Sequence, residues 1–124
     1  MAGLTFDTGA LIAIEHRRHR IRRVFATAVR DNVRVTVPAA VVVEWWRGRT
    51  DIAEDILAAV DVEPLDEGLA QAAGEAIGLV PGATAVDAIV MASAARRGDV
   101  VYTSDFADVT RLQAHFRAVR VLAV

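Results

Sequence analysis

Four carboxylates in this 124-residue chain stand in apolar surroundings. Asp7 follows the run "GLTF" and precedes Thr8 and Gly9. Glu44 lies inside "AAVVVEWWRG", between Val43 and Trp45. Asp87 interrupts "ATAVDAIVMASAARRG", otherwise a stretch of small and branched apolar residues. Asp105 comes just after "VVYT". A charge beside a core costs free energy unless it is paired or bound to a metal. Crowded carboxylates repel, and some must stay protonated. Mg²⁺ or Mn²⁺, hard ions that take oxygen ligands, removes the conflict. Four carboxylates balance one or two such ions well, and two ions about 4 Å apart can clamp the attacking and leaving oxygens of a phosphodiester. Water is then the nucleophile, which suits a chain with no cysteine and no lysine.

Each acid also has a structural reading. Asp7 can cap the helix that follows it. Thr84 and Asp87 have the spacing of a capping box. Asp105 can cap a short helix, with Asp108 reaching back in the same way. Glu44 has no such role and is otherwise a solvated residue on a polar face. The two readings differ in whether the four converge.

The elements decide that. "GLTF" reads as a strand, with a helix "ALIAIE" behind it. "RIRRVFATAVRDN" sets Ile21, Val24, Phe25, Ala28 and Val29 on one helical face. "VRVTVP" is a strand by its β-branched residues, and Pro38 is placed to open the helix that carries Glu44. Thr50 or Asp51 caps another helix, "VEPL" is a short strand, and "DEGLAQAAGEAIGLV" is a helix despite its glycines. Thr84 starts the helix that ends at Arg96, Arg97 and Gly98. "VVYT" is a strand, "FADVTRLQAHF" a helix and "AVRVLAV" a last strand. Alternating helices and near-continuous apolar strands predict an α/β fold with a largely parallel sheet. Ligands of such sheets bind beyond the carboxyl ends of the strands. Asp7 and Asp105 both follow strands, so both are predicted at that edge.

Length and composition set the bounds. The chain has the size of one domain, spanning residues 1–124. No apolar run nears the roughly 18 residues of a membrane span, and the start lacks the features of a signal peptide; a cytoplasmic protein is expected. A net charge of −2 argues against a generic polyanion binder. All 14 basic residues are arginine, which removes any mechanism that needs a lysine. Arg17, Arg18, Arg20, Arg22 and Arg23 cluster in "EHRRHRIRR", either as a rim that contacts RNA phosphates or as a solvated face. His16 and His19 are available as bases, although a metal-bound water needs none. Trp45 and Trp46 point about 100° apart on a helix, so one of them is expected in an interface. That pair and the apolar surplus point to a dimer.

Taken in order, "TFDTGALIAI", "VPAAVVVEWWRG" and "DAIVMASAARRGDVVYTSD" resemble the PIN-domain ribonucleases, in particular the VapC toxins of toxin–antitoxin pairs. The resemblance spans nearly the whole chain. It implies a PIN-like three-layer fold, with a mostly parallel central sheet flanked by helices. It implies Asp7, Glu44, Asp87 and Asp105 as the catalytic, metal-holding cluster, with Thr8, Thr103 and Asp108 in support. It also implies endonucleolytic cleavage of RNA, a homodimer, and inhibition by a small VapB-like antitoxin. Two rivals remain. A receiver-like signalling module has the same size and an acidic Mg²⁺ pocket, but it needs a late lysine, and Asp61 and Asp66 lack partners for the role. An inactive PIN-like binding module is separated from the enzyme by an activity assay.

Overall fold

The computed structural model describes residues 2–48 and 50–124. Its sheet has the strand order β3-β2-β1-β4-β5, and every neighbouring pair is parallel. The strands are β1 (Leu4–Phe6), β2 (Val35–Pro38), β3 (Asp61–Glu63), β4 (Val100–Thr103) and β5 (Arg120–Ala123). Helices α1 (Thr8–Glu15) and α2 (His19–Arg30) join β1 to β2. Helices α3 (Ala39–Trp46) and α4 (Asp51–Ala58) join β2 to β3. Helices α5 (Glu67–Leu79) and α6 (Ala85–Arg97) join β3 to β4, and α7 (Phe106–Arg111) leads towards β5.

Successive side chains of a strand point to opposite faces, and β1 uses both. The Phe6 ring packs edge-on against Phe25 of α2, with centroids 5.9 Å apart. Its neighbour Thr5 turns the other way, towards Ser93 and Arg97 of α6. Helices α2 and α6 therefore cover opposite faces, which gives the three layers. Helix α6 is the most enclosed element, with Ala88 through Ala94 all buried. Its apolar run is explained by that position.

The path of the chain creates the site. From β1 it moves outward to β2 and β3, then returns to β4 beside β1 and continues the other way to β5. The carboxyl ends of β1 and β4 are thus a topological switch point, where the loops diverge and leave a crevice. Asp7 follows one of these strands and Asp105 the other.

Away from the cleft, a largely buried ionic knot joins the amino ends of β1 and β4 to β3. Arg97, at the end of α6, donates to Asp99 Oδ2 at 2.9 Å, to Thr5 and Ser93 at 2.9 Å each, and to Glu63. Asp99 is only 3% exposed and also accepts from the Gly3 amide and the Thr5 hydroxyl. One guanidinium there ties α6 to β1, to β3 and to the turn before β4.

Several boundaries differ from those read in the sequence. Pro38 ends β2 and precedes α3 rather than opening it. The third strand stops at Glu63, because Pro64 has no N–H to continue a ladder. The last helix breaks at Arg111 and a 3₁₀ turn follows over Leu112–Ala114; the Thr110 hydroxyl bonds back to the Phe106 and Ala107 carbonyls there. Both tryptophans belong to one corner: Trp45 is buried and Trp46 half-buried, with the rings edge-on at 5.7 Å. Among the described residues no helix is long and apolar enough to cross a membrane.

Candidate active site

All four acids singled out in the sequence line one cleft of 420 Å³ at the switch point. Among the described residues no basic side chain lines it. Each acid is delivered by a different element. Asp7 sits between β1 and α1, Glu44 lies in α3, Asp87 in the first turn of α6, and Asp105 between β4 and α7.

Asp7 anchors the group and is 4% exposed. Its Oδ1 accepts from the Ala10 amide at 2.8 Å, so it does cap α1. Its Oδ2 accepts from the Thr103 hydroxyl. The Thr103 oxygen in turn accepts from the Asp105 amide at 2.8 Å. Thr103 therefore bridges the first acid to the loop that carries the last. Burial pushes the Asp7 carboxyl up to about 6; the Thr103 hydroxyl and Ala10 amide oppose this, and Asp87 adds to it. Asp87 is raised too, first by burial and then by the charges of Asp105, Asp108 and Glu44.

The structural readings divide. Thr84 caps α6 by accepting from the Asp87 amide at 3.2 Å, so Asp87 belongs to a cap and to the cleft at once. Asp105 occupies a capping position but makes no side-chain cap bond. Glu44 is exposed at the cleft wall and accepts from the Thr8 hydroxyl at 2.7 Å. Asp108 stands near enough to Asp87 to raise it, but is itself paired with Arg111 at 2.7 Å. Of the clustered arginines, Arg17 and Arg22 line an apolar groove beside Phe25 and Val29, apart from the cleft. Arg18, Arg20 and Arg23 are exposed and line neither.

No family model and no curated protein matches the chain. Solved structures do. A chain of the DNA-bound VapBC from Salmonella typhimurium superposes with a TM-score of 0.76 at 18% identity, covering 99% of this chain and 98% of that one. VapBC2 from Rickettsia felis, bound to a promoter DNA fragment, gives 0.76 at 11% identity, with 98% of each chain covered. FitAcB from Neisseria gonorrhoeae gives 0.64 at 20% identity over 96% of each. The chain has the PIN-like fold.

Within that PIN-like fold, the cleft fits a hard divalent cation by its donors. They are carboxylate and hydroxyl oxygens, with no basic side chain among the described residues beside them, and burial and the neighbouring acids push Asp7 and Asp87 up. Among the described residues no three His, Cys, Asp or Glu side chains stand close enough to close round one ion.

Gly9, in the first turn of α1, has a role that only the fold shows. A Cβ there would lie 1.6 Å from Ser104 Oγ and 2.5 Å from Ser104 Cβ. Only a glycine lets the start of α1 touch the loop that places Asp105. Gly9→Ala is expected to push that loop outward while leaving the core intact. A displacement of about 1 Å in a catalytic group costs on the order of 100-fold, so activity carried by the cleft should fall by that factor with little change in melting temperature. Undiminished activity would show that the contact is not needed.

Proposed function

We propose that this chain is a divalent-cation-dependent endoribonuclease and the toxin of a toxin–antitoxin pair. The observation that carries the reading is the cleft at the switch point: four carboxylates from four parts of the chain, no basic side chain among the described residues, and a buried Asp7 already pushed up to about 6. Asp7, Glu44, Asp87 and Asp105 would hold Mg²⁺ or Mn²⁺, one ion or two. The bound ion would supply a water nucleophile at neutral pH and offset the phosphodiester charge. The chain's own groups do the positioning. Thr103 fixes Asp7 and the Asp105 loop together, and Thr8 orients Glu44. The amino ends of α1 and α6 face the cleft, where their dipoles favour carboxylates and phosphate.

The partner reading rests on the resemblance and on the VapBC and FitAB likenesses. It comprises a small VapB-like antitoxin, and binding of DNA by the joint complex as in those structures. A homodimer is supported by bare apolar side chains, Val43 on α3 and Leu79 on α5. The test is expression without a partner in a bacterial host. Growth should stop with the wild type and continue with Glu44→Gln at equal protein level. Equal arrest by both forms would mean that toxicity comes from something other than the cleft.

A further inference from the structure

A second hollow, of 540 Å³, opens beside the acid cleft. It shares Thr8, Ile12 and Glu44 with the cleft, so the two hollows adjoin. Glu15, the last residue of α1, lies in its wall. Both oxygens of this carboxylate are fixed. Trp45 Nε1 donates to Oε1, and the Thr50 hydroxyl donates to Oε2 at 2.7 Å. Arg47 and His16 line the same hollow, are exposed, and have no partner among the described residues. Ile12 and Ile52 supply an apolar surface, each 39% exposed.

This combination suits an unpaired nucleotide. RNA is read by sequence mainly in single-stranded segments, through apolar contact with the base and hydrogen bonds to its edge. Arg47 is free to meet a backbone phosphate. A carboxylate oxygen has two lone pairs, so among the described residues each oxygen of Glu15 keeps one after its bond to Trp45 or Thr50. Two neighbouring acceptors match two neighbouring N–H donors. Among the four RNA bases, guanine alone presents such a pair on its Watson–Crick edge, at N1 and N2.

We infer that this hollow is a base-recognition subsite in which Glu15 selects guanine next to the scissile phosphate. The inference rests on the ribonuclease reading and deepens it. Glu15 also clips α1 to α3 and Thr50, so a purely structural role must be separated from recognition. Inosine does that, since it lacks only the N2 amine of guanine. The experiment compares wild-type cleavage of single-stranded RNAs with guanine or inosine at one position at a time around the cut. At one adjacent position inosine should lower kcat/KM by about tenfold, the worth of one arm of a bidentate contact. Elsewhere it should change nothing. Glu15→Gln should cut with the guanine–inosine difference gone, and Arg47→Gln should raise KM with that difference kept. Equal cleavage of guanine and inosine RNAs at every position would overturn the inference and leave the ribonuclease reading standing. No cleavage of any of these RNAs with Mn²⁺ would overturn both.

Discussion

Asp7→Asn is expected to melt several degrees above the wild type at pH 7.5 in EDTA, although it should cleave no RNA. The Asp7 carboxyl has an ordinary value of 3.8 and is raised by burial to about 6. The native state thus prefers the protonated acid. Its contribution to stability is complete below about pH 4 and is lost as the pH climbs through about 6. Above that, the ionised group holds a cost of about 3 kcal/mol, at 1.36 kcal/mol for each pH unit of displacement. Asparagine removes the charge and keeps an oxygen for the Ala10 amide, since it caps helices about as well as aspartate. A gain of roughly 1–3 kcal/mol is expected, about 4 °C for each. Melting curves from pH 4 to pH 8 check the sign: the gap between the proteins should be small at pH 4 and widest above pH 6.5. A variant less stable than wild type at pH 7.5 would make Asp7 a structural cap and no more.

Arg97→Met should have the largest effect on stability. The guanidinium is largely buried, away from the cleft, and serves Asp99, Glu63, Thr5 and Ser93. Without it, Asp99 keeps only the Gly3 amide and the Thr5 hydroxyl. Breaking a buried pair from one side costs about 3–5 kcal/mol, because the remaining charge has no counterion. That is a large part of the 5–15 kcal/mol typical of a whole domain. Urea unfolding should show the loss as a lower midpoint at an unchanged slope. Arg97→Met with Asp99→Asn should recover part of it, since the stranded charge is gone. Chain that remains folded should still cleave RNA, as the knot lies away from the acids. A loss under 1 kcal/mol would mean that solvent reaches Asp99.

The two ends of α6 show what could be read from residues alone. At Asp87 the signal was local: an acid in an otherwise apolar helix, just behind a cap, has few explanations. Asp7 and Asp105 were placed by strand reading, because a parallel sheet sends the residues after its strands to one edge. Arg97 and Asp99 gave no such signal. They sit among ordinary helix-end residues, and only the return of β4 beside β1 brings Gly3, Thr5 and Glu63 around them. Gly9 was hidden for the same reason, since its contact is Ser104, far along the chain. The resemblance implies only a supporting role for Thr103, and its bond to Asp7 comes from the fold. The broken last helix and the early end of β3 were missed for local reasons, a threonine hydroxyl in one case and a proline in the other.

The cleft is held to be a divalent-cation site that hydrolyses RNA, and the most direct test is cleavage of single-stranded RNA by the purified chain. Wild type and Asp7→Asn should be run side by side, each with Mn²⁺ and with EDTA. The account predicts cleavage by wild type with Mn²⁺ and in no other arm. Equal cleavage by Asp7→Asn, or cleavage by wild type that survives EDTA, would contradict it.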